Sequence, residues 1–123
     1  DAHAIQHAIQ KGYTVVIISA ARDEMLRTRY QRLGMQEVYL GCTDKEVTLK
    51  EFAAVYDLHY DNILYMGDDV PDYNAMKLAG VATCPYNAAP EIREICHYVS
   101  PEKGGEGCVR DVISQVMRLH GTW

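Results

Sequence analysis

The 123 residues carry a formal net charge of -5 and are 48% hydrophobic, which suits one sizeable core and leaves little length for a second domain. The acidic balance, with no long Lys/Arg cluster, argues against a nucleic-acid surface, and no apolar run approaches a membrane span. The stretch Asp1-Ala2-His3-Ala4 has no signal-peptide character, and Cys42, Cys84, Cys96 and Cys108 form no Cys-x-x-Cys pair, so free thiols in a cytoplasmic protein are expected.

In chain order, Ala2 to Gln10 predicts a helix stopped at Lys11-Gly12. Tyr13 to Ser19 is a β-branched apolar run, read as a strand covered on both faces. Arg22 to Leu33 reads as a helix stopped by Gly34, and Glu37 to Leu40 as a short strand stopped by Gly41. Lys45 to Tyr56 is the next helix, with Asp44 as its N-cap and Val47, Phe52 and Val55 among its apolar positions. Ile63 to Met66 then forms a short apolar run, and Gly67 ends it by letting the backbone turn sharply. Tyr73 to Leu78 reads as helical, Gly80 to Cys84 as extended, Pro90 to Cys96 as helical, Tyr98-Val99 as extended and Cys108 to Leu119 as helical. This alternation predicts an α/β domain over 1–123, with a mostly parallel sheet and helices on both faces.

Three polar positions fall at strand ends: Ser19, the Asp44-Lys45 pair, and Asp68-Asp69 with Asp72 close behind. Right-handed crossovers carry successive strand ends to one edge of a parallel sheet, where open α/β folds place their ligands. A hydroxyl, an ammonium and a carboxylate pair suit a phosphate and a divalent cation. Ser19 and the amides after it can donate to phosphate oxygens, and Lys45 can neutralise them or a nearby carboxylate nucleophile. Hard oxygen ligands in small number suit Mg2+, which keeps several waters and shares a phosphate. Each residue also has an ordinary reading: Ser19 and Asp72 as helix caps, Lys45 as a solvated first-turn lysine. His3 and His7 have the spacing of a helical metal pair but no nearby acid, and read as surface side chains. Nine tyrosines against one phenylalanine suggest partly exposed aromatic surface. Gly104 to Gly107 is either a substrate-side loop or a helix lead-in.

Ile17-Ile18-Ser19, Asp44-Lys45 and Gly67-Asp68-Asp69-x-x-Asp72 together resemble motifs two, three and four of the haloacid dehalogenase superfamily. The closer resemblance is to its small, cap-less 3-deoxy-manno-octulosonate 8-phosphate phosphatases, which also share the glycine-rich Gly104-Gly105-Glu106-Gly107 lead into Val109-Arg110-Asp111-Val112. The resemblance implies a three-layer Rossmann-like fold without a cap domain. It also implies hydrolysis of a keto-sugar acid phosphate through a phosphoaspartate, with Mg2+, in lipopolysaccharide or surface-sugar synthesis. Alternatives are the related nine-carbon 9-phosphate as substrate, fusion to a sugar-activating transferase, or a non-catalytic binding or assembly subunit. Asp68 matches the metal-binding carboxylate, with Asp69 beside it and Asp72 in support. Lys45 matches the phosphate-stabilising lysine, and Ser19 the motif-two hydroxyl, with Ala20 next to the phosphate. The family further implies a cytoplasmic homotetramer, with the tail Leu119 to Trp123 packed into a neighbouring subunit.

Two departures stand out. Ser19-Ala20-Ala21-Arg22 replaces the family's usual Thr-Gly-Arg, and no Asp-x-Asp follows an apolar strand anywhere in the chain. In the family that first motif lies on a central strand upstream of the position matching Asp1 and supplies the nucleophile and the general acid/base. The chain is therefore expected to be a fragment lacking the N-terminal strand, inactive by itself.

Overall fold

A computed structural model describes residues 1–123, with six α-helices and five strands in the alternating order read from the sequence. All three strand pairings are parallel. The chain forms two compact units, Asp1–Thr43 with Val109–Trp123, and Asp44–Cys108. No helix is long and apolar enough to cross a membrane.

In the first unit, α1 (Ala2–Gln10) ends before Gly12, whose φ of 95° lies in the left-handed region that favours glycine. β1 (Ile17–Ile18) pairs with β2 (Val38–Tyr39), Ile17 opposite Val38. The strand expected over Tyr13 to Ser19 is thus two residues long, and it is half-buried rather than enclosed. Its ladder runs along β2 alone, and β2 is itself only two residues long. α2 (Glu24–Arg32) starts at Asp23, whose carboxylate accepts from the Met25 amide at 3.0 Å. The Arg27 guanidinium donates to the Val38 carbonyl and ties α2 to β2. Ile5, Met35 and Val38 form the buried centre, with Ile9, Ile17, Val109 and Ile113 packed against it. The last two come from α6 (Cys108–Leu119). Each such buried aliphatic side chain contributes about 1.5–3 kcal/mol relative to exposure.

The tail closes on its own chain. The Trp123 ring meets His7 edge-on at 5.3 Å between centroids, and the Arg110 and Arg118 guanidinium carbons lie 5.4 and 5.9 Å from the indole. The Tyr13 hydroxyl lies 2.7 Å from His120 Nδ1 and 2.8 Å from Thr122 Oγ1.

In the second unit the strand order is β3 (Leu64–Met66), β4 (Val81–Cys84), β5 (Tyr98–Val99). α3 (Lys45–Val55) begins at Asp44, whose carboxylate accepts from the Val47 amide at 3.2 Å, as expected of its N-cap. Its buried stripe is Leu49, Phe52 and Ala53, whereas Val47 and Val55 are exposed. The spacing of one helical face explains this difference: 49, 52 and 53 share a stripe, 47 and 55 fall outside it, and α3 packs against α4 (Tyr73–Leu78), whose Ala75 and Met76 are buried. α5 (Pro90–Ile95) packs on β4 and contributes the fully buried Ile92. All four cysteines are free thiols, as expected. Burial, reinforced by the neighbouring Cys84 thiol, pushes the Cys96 thiol up to about 12.

Candidate active site

The loop after β3 is built around two close approaches. The Gly67 amide donates to the Thr83 carbonyl at 3.1 Å, which carries the β3–β4 ladder one residue past the strand. A Cβ on Gly67 would stand 2.6 Å from Asp72 Cβ and 2.8 Å from Met76 Sδ. Gly67 does not have a left-handed φ, so its requirement is space for Asp72 rather than the sharp turn expected of it. Beyond it, Asp69 caps the single 3-10 turn Val70–Asp72, accepting from the Val70 amide at 2.8 Å in a reciprocal capping box with Asp72. The capping role considered for Asp72 thus belongs to Asp69, and Asp72 makes no side-chain cap on α4.

Asp72 does something else. It is buried, 4% exposed, and its carboxylate collects four donors. Oδ1 accepts from Lys45 Nζ at 3.0 Å and from the Tyr65 hydroxyl at 2.9 Å. Oδ2 accepts from the backbone amides of Asp68 at 3.1 Å and Asp69 at 3.4 Å. A buried carboxylate without such partners would pay several kcal/mol in lost hydration, and here the ammonium and three neutral donors offset that loss. Lys45 is therefore no solvated first-turn lysine: its side chain is 16% exposed and ion-paired. Tyr65 is the member of this cluster that no motif marks; its signal in the sequence is a tyrosine inside an apolar strand, whose hydroxyl needs a partner, with carboxylates just beyond.

Asp68 presents the opposite environment. Its backbone is held at both ends, by its amide on Asp72 and by the Ala89 amide, which donates to its carbonyl at 3.0 Å. Its side chain is exposed. No three His, Cys, Asp or Glu side chains converge as a ready-made metal cage. An exposed carboxylate at a strand end fits magnesium, which is held by one or two carboxylates with waters and a substrate phosphate completing the sphere.

Ser19 lies in the first unit, at the carboxyl end of β1. Its amide donates to the Tyr39 carbonyl at 2.9 Å, and its carbonyl accepts from the Cys42 amide at 2.9 Å. Its Oγ accepts from the Ala21 amide at 3.1 Å, which makes a local turn rather than a helix cap, since Asp23 caps α2. Ala20 and Ala21 are exposed. The Arg22 side chain runs beside Gly41, which has a φ of 65°. In the glycine-rich stretch, the Gly104 amide donates to Asn87 Oδ1 at 2.8 Å, and Gly105 and Gly107 take left-handed φ values of 79° and 104° before α6 starts.

Known proteins resemble this chain in sequence and fold. The family model of haloacid dehalogenase-like hydrolases matches residues 34–113, more than half of the chain. The 3-deoxy-D-manno-octulosonate 8-phosphate phosphatase of Yersinia pestis is 32% identical over 117 residues, covering 95% of this chain and 63% of that protein. The crystal structure of the Yersinia pestis phosphatase superposes with a TM-score of 0.89 at 32% identity, over 93% of this chain and 62% of that one. A second, the 3-deoxy-D-manno-octulosonate 8-phosphate phosphatase from Moraxella catarrhalis, was crystallised with a magnesium ion, a phosphate ion and a KDO molecule, and gives a TM-score of 0.91 at 26% identity over 95% of this chain and 67% of that one. The chain thus spans somewhat under two thirds of the length of the Yersinia protein. Its parallel α/β architecture and its Gly67–Asp72 loop stand inside a single known fold, and the chain belongs to the haloacid dehalogenase-like hydrolases.

Proposed function

We propose that the full-length protein is a magnesium-dependent phosphatase that releases phosphate from a keto-sugar acid phosphate, 3-deoxy-D-manno-octulosonate 8-phosphate, for surface-polysaccharide synthesis. The observation that carries this reading is the buried Asp72 carboxylate, paired with Lys45, which holds the amides of Asp68 and Asp69 while the Asp68 side chain stays exposed at a strand end. Phosphoryl transfer is mainly positioning and charge neutralisation, and four hydrogen bonds to Asp72 hold this loop in place. Likeness to the Yersinia and Moraxella phosphatases supports the substrate class.

In this reading Asp68 and Asp69 hold the cation, and Asp72 supports them from behind. The metal, when bound, neutralises phosphate charge. Lys45 adds a second positive group towards the phosphoryl oxygens, and the Ser19 hydroxyl and the Ala20 amide contribute hydrogen-bond donors. The chain contains no Asp-x-Asp, so the nucleophile and the general acid/base are assigned to a strand outside these 123 residues. The homotetramer and the cytoplasmic setting implied by the family belong to the same proposal.

The test is phosphate release from the eight-carbon substrate by the full-length protein, with and without Mg2+, beside Asp68→Ala. Release is expected only with the metal, and Asp68→Ala should lower it by about 100-fold or more. Undiminished activity in Asp68→Ala would sink the metal assignment, and no release from a full-length protein that does carry Asp-x-Asp would favour a non-catalytic subunit. The 123 residues alone are expected to turn nothing over.

A further inference from the structure

Asp72 Oδ1 is shared. Lys45 Nζ reaches it from the first residue of α3 and the Tyr65 hydroxyl from the middle of β3, at 3.0 and 2.9 Å. Tyr65 is buried, its backbone is held in the β3–β4 ladder, and its own carbonyl accepts from Thr83 Oγ1 at 3.2 Å, so its ring projects from a fixed point of the sheet. Lys45, by contrast, reaches Asp72 through a flexible four-carbon stem. Held only by that stem and by the two loop amides on Oδ2, the Asp72 carboxylate could swing about its terminal torsion and carry the ammonium with it. A rigid phenol on Oδ1 removes that freedom.

We propose that Tyr65 is a positioning residue: its hydroxyl locks the Asp72 carboxylate and, through it, sets where the Lys45 ammonium stands for the phosphoryl group. This rests on the phosphatase reading above, and it assigns to that site a neutral anchor drawn from the sheet. Misplacing a charge-neutralising group by a fraction of an ångström costs rate more than binding, because the transition state is more sensitive to placement than the ground state.

The experiment is a double-mutant cycle in the full-length protein between Tyr65→Phe and Lys45→Gln, with folding monitored by thermal melting. Two quantities are read: kcat and KM for phosphate release, and the Kd of inorganic phosphate at saturating Mg2+ by calorimetry. Tyr65→Phe keeps the ring and its packing. It is expected to lower kcat/KM about tenfold, mostly in kcat, and to weaken phosphate binding in the same direction. In the Lys45→Gln background, the same change should cost little in either quantity. Equal losses in both backgrounds would mean that Tyr65 acts through packing, and wild-type behaviour of Tyr65→Phe would mean that it does not act at all; either overturns the inference. A full-length protein that binds phosphate without hydrolysing any substrate would refute the phosphatase reading, while the Kd cycle still decides the role of Tyr65. A wild-type protein that does not bind phosphate would overturn both.

Discussion

The loops that follow β1 and β3 have the same place in the sequence pattern, polar residues just past an apolar strand, yet they are held by different forces. The turn Gly67–Asp72 is organised around a buried charge, with four donors converging on one carboxylate. The turn Ser19–Arg22 is held by backbone bonds to β2 and the residues after it, and by one hydroxyl on an amide two residues away. A loop built on a buried ion has one stable arrangement, because every alternative strands a charge. A loop built on exposed backbone bonds can adjust, since water replaces what it loses.

Substitutions can break that contrast. The largest effect is expected from Asp72→Ala, which leaves the Lys45 ammonium and the Tyr65 hydroxyl facing a gap; urea unfolding should show a loss of about 3–5 kcal/mol. Two glycines sharpen the comparison, Gly67 within the loop after β3 and Gly41 beside Arg22 of the other. Gly67→Ala drives a methyl to 2.6 Å from Asp72 Cβ and should cost about 1–3 kcal/mol together with the loop's geometry. Gly41→Ala meets nothing closer than Arg22 Cγ at 3.7 Å, so only its left-handed φ of 65° opposes it, at about 1–2 kcal/mol by the same measurement. Ser19→Ala removes a single exposed hydrogen bond and should cost under about 1 kcal/mol. A Ser19→Ala loss as large as that of Asp72→Ala would erase the distinction between the loops.

Much of this organisation is legible from residue order. The ends of α1 and α2 follow from Gly12 and Gly34, the start of α3 from Asp44, and the parallel pairing from the alternation of strands and helices. Two features escape a reading along the chain. The first is the length of β1: Tyr13 to Ser19 has the composition of a long buried strand, but how many of its residues form a ladder depends on its neighbours, and local pattern does not record them. The second is Asp72. Its place before α4 suggests a cap, whereas its actual partners include Lys45, 27 residues away, and Tyr65, on the preceding strand. Gly67 shows the same limit, because its need for glycine arises from a side chain five residues on and not from its own torsion angles.

Trp123 has a practical consequence as the one tryptophan in these residues. Wedged between two guanidinium groups and the His7 ring, it will report through its fluorescence the docking of the tail on α1 and α6. The second unit has tyrosines but no indole, so its unfolding will be silent in that emission. A melt followed by tryptophan fluorescence and one followed by tyrosine absorbance or circular dichroism can therefore be read as two clocks in one chain, and their agreement or divergence measures whether the tail and the carboxylate loop come apart together.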